Sequence, residues 1–407
     1  MGRAVESTGE RMLGGLLEDC HLAAMEDLPR LAAGHAAPAG LADPTIHVAD
    51  LQKKFLVPLP GQCGRDGKPL REISIDVTMA GRAFRNVEIV RVRDDDAPGS
   101  ARLWVPLLDG TERLGVLGVT VPADDEEALC RAAYLASLIA LLVTSKRNYS
   151  DTYQSLVRTE PMTLSAEVLW NLMPIGTFAN DRVVVSAALE PAYAVGGDAY
   201  DYAMRGDTLH LAIFDAMGHD TAAGLTASIA MGACRNGRRL GMDLTSTAES
   251  VDHAIAGQFA GERFATGVLG VLDVGAGELA WVNRGHHPPL LLRRGRRVPL
   301  PEEQVEPPMG LGLPQTPTTI RYQLEPGDRV LFYTDGIIDA QNPAGERFGL
   351  ERFIDFVLRR EADGLPAPET LRRLVLTILE YQHERLQDDA TVLMVEWRTQ
   401  EEQRLTF

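Results

Sequence analysis

The sequence predicts an α+β protein. Its C-terminal half reads as two antiparallel sheets packed together under helices, preceded by a smaller α/β domain and a linking helix. Three observations lead there. The chain has 407 residues, more than the ~100–200 that one core usually organises, so two or three domains are expected. Beyond residue 170, seven short apolar segments fall in hairpin-like neighbours, at 183–187, 209–214, 267–273, 279–283, 290–293, 329–333 and 391–397. Helical patterns at 222–234, 246–259, 350–359 and 369–385 flank them. Strands so arranged favour two packed sheets covered by helices.

The bulk chemistry narrows the function classes. With 45% hydrophobic and 24% charged residues, the chain is globular rather than disordered. A formal net charge of −17 and the lack of a long basic stretch argue against nucleic acid as partner. The Arg pairs near Arg238 and Arg293 are short and read as solvated turns. Acidity agrees with a chain that gathers carboxylates around cations. Cys20, Cys63, Cys130 and Cys234 form no C-x-x-C pair, which argues against a thiolate zinc site and suits a reducing cytosol. The N-terminus has no apolar signal core, and the longest apolar run, 135–143, is short of the ~20 residues that span a bilayer. A cytoplasmic protein without membrane contact is expected.

In the N-terminal part, Leu13, Leu16 and Leu17 repeat at helical spacing, and Pro29 and Pro38 punctuate the next stretch of chain. Strands are expected at 45–48, 55–58, 73–77, 103–107 and 114–121. The last two, separated by a loop containing DGTER, read as a hairpin. The segments GRAFRN (81–86) and WVPLLDGTERLGVLGVTVP resemble the short helix and final hairpin of GAF-type sensor domains. The resemblance implies a domain over 1–123 that senses an unknown small-molecule or protein signal, or one used only for packing or dimerisation. No residue selects a ligand.

Residues 124–158 read as one long helix within a linker at 124–164. Asp124, Asp125, Glu126 and Glu127 lie in its first turn, where the helix dipole favours acids. Leu129, Ala133, Ala136, Ala140 and Val143 then recur along it, and Glu160-Pro161 should end it. Such a helix either pairs with its copy in a homodimer or packs on its own sensor domain. A second helix, 165–173, stops at Pro174 and opens a domain at 165–400.

Four acidic motifs carry the chemistry: Gly196-Gly197-Asp198, Asp215-Ala216-Met217-Gly218-His219, Thr334-Asp335-Gly336 and Asp388-Asp389-Ala390-Thr391. The last three place an Asp at the junction of a strand and a turn. A short side chain on a rigid strand end has few rotamers, so several such ends at one edge hold a fixed carboxylate cluster. Clustered carboxylates repel unless cations neutralise them. Oxygen-only ligands suit Mg²⁺ or Mn²⁺. Any one motif alone is more often a turn or a loop.

Together with LWNLMP, EPAYAVGGDAYD, FDAMGHDTAAGL, NRGHHPPLLLRRG, PPMGLG, GDRVLFYTDGIIDAQN and QDDATVL, these motifs resemble the SpoIIE-like branch of the PPM (protein phosphatase 2C-type) serine/threonine phosphatases, from about Trp170 to Trp397. The resemblance implies an α-β-β-α sandwich and a two-metal site. Asp198, Asp215 and the Ala216 carbonyl would be ligands, with Asp335 and Asp388 completing the donors of the second metal. Asp389 would be either the direct ligand in place of Asp388 or the holder of a metal-bound water. Two Mn²⁺ or Mg²⁺ ions would activate water for direct hydrolysis, so Cys234 is not needed as nucleophile. The implied substrate is a phosphoserine or phosphothreonine of a partner protein, a STAS-type anti-anti-sigma factor.

His219 either protonates the leaving oxygen or caps the helix starting near Thr221. His286 and His287 read as a structural turn beside the site. Asp220 adds a carboxylate that could repel an acidic substrate or tune metal affinity. No phosphate-gripping arginine stands out. The rival readings are a catalytically dead scaffold, a sensor with a vestigial phosphatase domain, and a two-metal hydrolase of small phosphoesters. Tight metal binding without hydrolysis would favour either of the first two, and activity on free nucleotides alone the third.

Overall fold

The structure is a computed structural model, and it describes residues 7–93, 99–122, 125–302, 306–313, 317–383, 386 and 388–398. The chain divides into two compact units, Met1–Pro161 and Met162–Phe407.

The first unit contains helices α1 (Thr8–Asp19), α2 (Leu28–Ala36) and α3 (Met79–Asn86). Its six strands are β1 (Ala42–Ala49), β2 (Phe55–Pro58), β3 (Ile73–Ser74), β4 (Val90–Arg93), β5 (Ser100–Asp109) and β6 (Glu112–Pro122). They form one antiparallel sheet ordered β3-β2-β1-β6-β5-β4. Alternation sorts its residues by face. Ile46, Val48, Leu103, Leu117 and Val119 pack with α1 and α2, while Ala49, Leu56 and Val116 pack with Phe84 of α3.

The expected single helix over 124–158 is corrected to two, α4 (Glu126–Arg147) and α5 (Asp151–Val157). Asp124 lies outside the described residues. The break has a tertiary cause. Lys146 Nζ donates to the carbonyls of Cys20 (3.0 Å) and Ala23 (2.5 Å), and Arg147 pairs with Glu112 (2.7 Å). Those bonds hold the end of α4, and Ser150, in extended backbone, accepts from the Tyr153 N–H to cap the next helix. By length and composition α4 could cross a membrane, since its alanines extend the apolar run beyond 135–143. Here Ala128, Ala132, Leu135, Ala136, Ile139 and Val143 are buried in this unit's own core.

The second unit begins with α6 (Leu164–Leu172) and holds two antiparallel sheets. The first has five strands: β9 (Asp198–Arg205), β10 (Thr208–Ala216), β11 (Ala265–Asp273), β12 (Glu278–Arg284) and β15 (Ile320–Gln323), in the order β15-β12-β11-β10-β9. The second runs β14-β13-β16-β17-β8-β7. These strands are β7 (Thr177–Ala179), β8 (Val183–Glu190), β13 (Leu290–Arg293), β14 (Arg296–Val298), β16 (Arg329–Tyr333) and β17 (Ala390–Trp397). Helices α7 (Thr221–Leu240) and α8 (Leu244–Phe259) cover the first sheet; α10 (Leu350–Ala362) and α11 (Ala367–Tyr381) cover the second, after the one-turn α9 (Asp335–Ile338). Val185, Ile213, Leu269, Trp281, Phe332 and Leu393, drawn from both sheets, share one core. This is the expected helix-sheet-sheet-helix sandwich.

All seven expected strands are present. The sequence reading missed β7, β9, β14 and β15. The omission of β9 matters, because DAYDYAMR carries two acids and no β-branched residue, so it does not announce a strand.

Candidate metal centre

Four strand ends bring the acidic motifs to one edge of the sandwich. Asp198 opens β9 and is the direct register partner of Asp215 near the end of β10. All four motifs, not three, therefore sit at strand boundaries. In the other sheet, Thr334 follows β16 and Thr391 lies near the start of β17, with the Thr334 N–H donating to the Thr391 carbonyl (3.0 Å). Both threonine hydroxyls donate to Asp198 Oδ2, at 2.7 and 2.6 Å. These bonds join the two sheets where the acids collect. The sequence places both threonines within the acidic motifs but carries no sign of this role.

Asp389 has a different task from its neighbour. Its Oδ2 accepts from the backbone N–H groups of Gly196 (2.8 Å), Gly197 (2.7 Å) and Asp198 (3.1 Å). The side chain thus grips the Gly-Gly-Asp turn. Asp388 stays exposed, and its Oδ1 accepts from the Asp389 N–H (2.9 Å). Two glycines permit the close packing. A Cβ on Gly197 would lie 2.5 Å from the Ala216 carbonyl oxygen, and one on Gly336 would lie 1.9 Å from the Asp389 carbonyl oxygen.

The acids are graded from floor to mouth. Asp198 and Asp389 are buried, Asp215 and Asp335 half-buried, Asp388 exposed. Burial, then repulsion from Asp215 and Asp389, pushes the Asp198 carboxyl well above the usual range. Burial raises Asp215 to about 7, with Asp335, Asp388 and Asp389 adding to the shift. Asp335 is raised by burial and by Asp388, and is partly relieved by His287. Asp389 is raised by burial, against which its three N–H donors act.

Such mutual repulsion among all-oxygen donors fits hard divalent cations. Among the described residues, no three His, Cys, Asp or Glu side chains converge to enclose a single ion. The acids instead ring the sandwich edge, with the Ala216 carbonyl packed against Gly197.

The remaining candidates divide. His219 is exposed and does not cap α7; the N-cap is Asp220, whose carboxylate accepts from the Ala223 N–H (2.8 Å). Asp220 is also held by both terminal nitrogens of Arg263 (3.0 and 2.8 Å), and Arg263 Nη1 donates to the Met217 carbonyl (3.2 Å). Those bonds hold the Asp220 carboxyl down at about 2. The Asp220 carboxylate, expected to repel an acidic substrate or to tune metal affinity, is therefore committed to a cap and an ion pair.

His286 uses both ring nitrogens, on Thr266 Oγ1 (2.8 Å) and the Tyr333 carbonyl (3.0 Å), and burial lowers its pKa to about 3. His287 stacks on Tyr333. Cys234 sits on the buried face of α7, its thiol pushed up to about 12 chiefly by burial.

Residues 205–398 match the family model of Stage II sporulation protein E (SpoIIE). Protein IcfG of Synechocystis sp. is 27% identical over 226 residues, which are 46% of this chain and 34% of that protein. The match thus spans about a third of the curated relative. The RsbU and RsbW domains of Rv1364c from Mycobacterium tuberculosis align over 56% of this chain and 63% of theirs, at 26% identity and a TM-score of 0.47. The SiaA-PP2C domain of Pseudomonas aeruginosa aligns over 63% of this chain and 99% of its own, at 21% identity and a TM-score of 0.48.

Proposed function

We propose that this chain, whose residues 205–398 match the SpoIIE family model, is a metal-dependent protein serine/threonine phosphatase of the PPM class. One observation carries the reading: the carboxylates of all four motifs stand at one sandwich edge, where burial and then mutual repulsion raise Asp198, Asp215, Asp335 and Asp389. Asp198 at the floor, Asp215, Asp335, Asp388 and the Ala216 carbonyl would hold two Mn²⁺ or Mg²⁺ ions. Bound there, the ions supply Lewis acidity that lowers the pKa of water and screens phosphate oxygens.

The chain's own residues do the rest. Asp389 fixes the Gly196–Asp198 turn through three N–H bonds, which supports Asp388 rather than Asp389 as direct ligand. The Thr334 and Thr391 hydroxyls orient Asp198. Exposed Met217, His219 and Asp388 leave the mouth open to a phosphoseryl or phosphothreonyl side chain on a protein surface. His219 remains the candidate proton donor to the departing oxygen.

The family resemblance supplies the substrate class, a phosphorylated STAS-type anti-anti-sigma factor. The six-stranded sheet with α3 on one face and α1, α2 and α4 on the other supports the GAF-like sensor reading of the first unit. A homodimer through the linker would use Tyr134 and Leu141, the large apolar residues that α4 leaves exposed. The free cysteines agree with a cytoplasmic location.

The test is phosphate release from a phosphoserine STAS-domain protein, with Mn²⁺ and with chelator, by wild type and Asp335→Asn. Metal-dependent release that the substitution abolishes is expected. Silence from both the full chain and residues 162–407 would replace the enzyme with a scaffold.

A further inference from the structure

The motif EPAYAVGGDAYD holds a carboxylate that the metal centre does not use. Asp201 lies three residues along β9 from Asp198, on the opposite face, and is 1% exposed. There α7 covers the strand. Arg235 donates to Asp201 Oδ1 from Nε (3.0 Å) and Nη2 (2.6 Å), and Arg238 Nη1 donates to Oδ2 (2.7 Å). Arg235 Nη2 also reaches the carbonyl of Leu172, the last residue of α6 (2.5 Å). On the other face, Tyr200 donates to the Pro174 carbonyl (3.1 Å) and Tyr202 to that of Ile175 (2.6 Å). The strand that begins with Asp198 is thus pinned on both faces within its next four residues.

A buried ion cluster is a poor device for stability alone, since apolar groups of similar volume are often as good or better. What a guanidinium fork on a carboxylate supplies is fixed geometry. A strand end carrying a metal ligand needs that, because ligand sites tolerate errors of only ~0.5 Å.

We propose that Asp201, clasped by Arg235 and Arg238, is a positioning residue for the metal centre. By locking β9 to α7 it sets where Asp198 stands against its register partner Asp215, and through that the affinity for divalent cations. The inference rests on the metal-centre reading above.

The experiment uses the full chain, direct titration with Mn²⁺, thermal midpoints in chelator, and phosphate release against Mn²⁺ concentration. Asp201→Asn should weaken Mn²⁺ binding about 10-fold or more. It should shift the Mn²⁺ requirement of activity by the same factor and leave turnover at saturating Mn²⁺ near wild type. The apolar triple variant Asp201→Leu, Arg235→Met, Arg238→Met guards against simple misfolding: it should keep the midpoint and still bind Mn²⁺ weakly. A triple variant with both wild-type midpoint and wild-type Mn²⁺ affinity overturns the proposal, as does an Asp201→Asn protein that loses stability alone. Wild type that binds Mn²⁺ but releases no phosphate removes the phosphatase reading and leaves this comparison standing.

Discussion

At the scale of single residues, the centre depends on contacts that no side-chain inventory displays. Gly336 is one. Because its missing Cβ would lie 1.9 Å from the Asp389 carbonyl oxygen, Gly336→Ala must move the backbone that aims Asp389 at three N–H groups. Overpacking of this kind costs about 1–3 kcal/mol or more. The expected result is a lower urea midpoint together with weakened Mn²⁺ binding, read by denaturation and titration. A variant with unchanged metal affinity would show that the Asp389 grip is dispensable. The acids themselves were legible in the sequence, since each sits in a short motif and three of the motifs adjoin a readable strand. Their division of labour was not. Asp388 and Asp389 are adjacent and chemically identical, and only the fold shows that one is spent on backbone N–H groups while the other faces solvent. The hydroxyls of Thr334 and Thr391 were hidden for the same reason: their partner Asp198 lies 136 and 193 residues away.

At the scale of elements, apolar strands and long helices were readable because their periodicity is local. The strand β9 was not, because what holds it is a tertiary match of acids and tyrosines to α7 and to the segment after α6. The break between α4 and α5 was likewise invisible, as it follows from anchoring of Lys146 and Arg147 by distant groups. The N-cap of α7 gives a test at this scale. Asp220 both caps the helix and pairs with Arg263. Asp220→Asn keeps a capping oxygen, whereas Asp220→Ala keeps neither role. The ordering expected from urea melts is wild type, then Asn, then Ala, and equal midpoints for all three would show that the Arg263 clasp and the cap contribute nothing measurable.

At the scale of the whole molecule, the two units should answer pH in opposite senses. His47 is 2% exposed in the first unit, and burial lowers its pKa to about 4. Its folded pKa lies below the ordinary 6.5, so the unfolded chain binds more protons between those values. Stability from that group is complete above pH 6.5 and lost as pH falls toward 4. Asp215 in the second unit is the reverse. Raised from 3.8 to about 7, it binds a proton in the fold that the unfolded chain has released, so the metal-free unit loses stability as pH rises through that window. Calorimetry in chelator should resolve two transitions that move apart or cross between pH 4 and 7, with Mn²⁺ raising the second at neutral pH. His47→Phe should flatten the first response. Parallel shifts of both transitions would contradict the assignment.

The pairing of Asp198 with Asp215 across neighbouring strands has a last consequence, for the folding of the chain in the cell. A slip of one residue between β9 and β10 would turn one of these carboxylates to the opposite face of the sheet. Burial already disfavours such a slip, and a cation cannot close around donors on opposite faces. Divalent ions would then act as proofreaders, stabilising only molecules whose strands have paired in register. Depletion of Mn²⁺ during synthesis should therefore lower the yield of native protein as well as its activity.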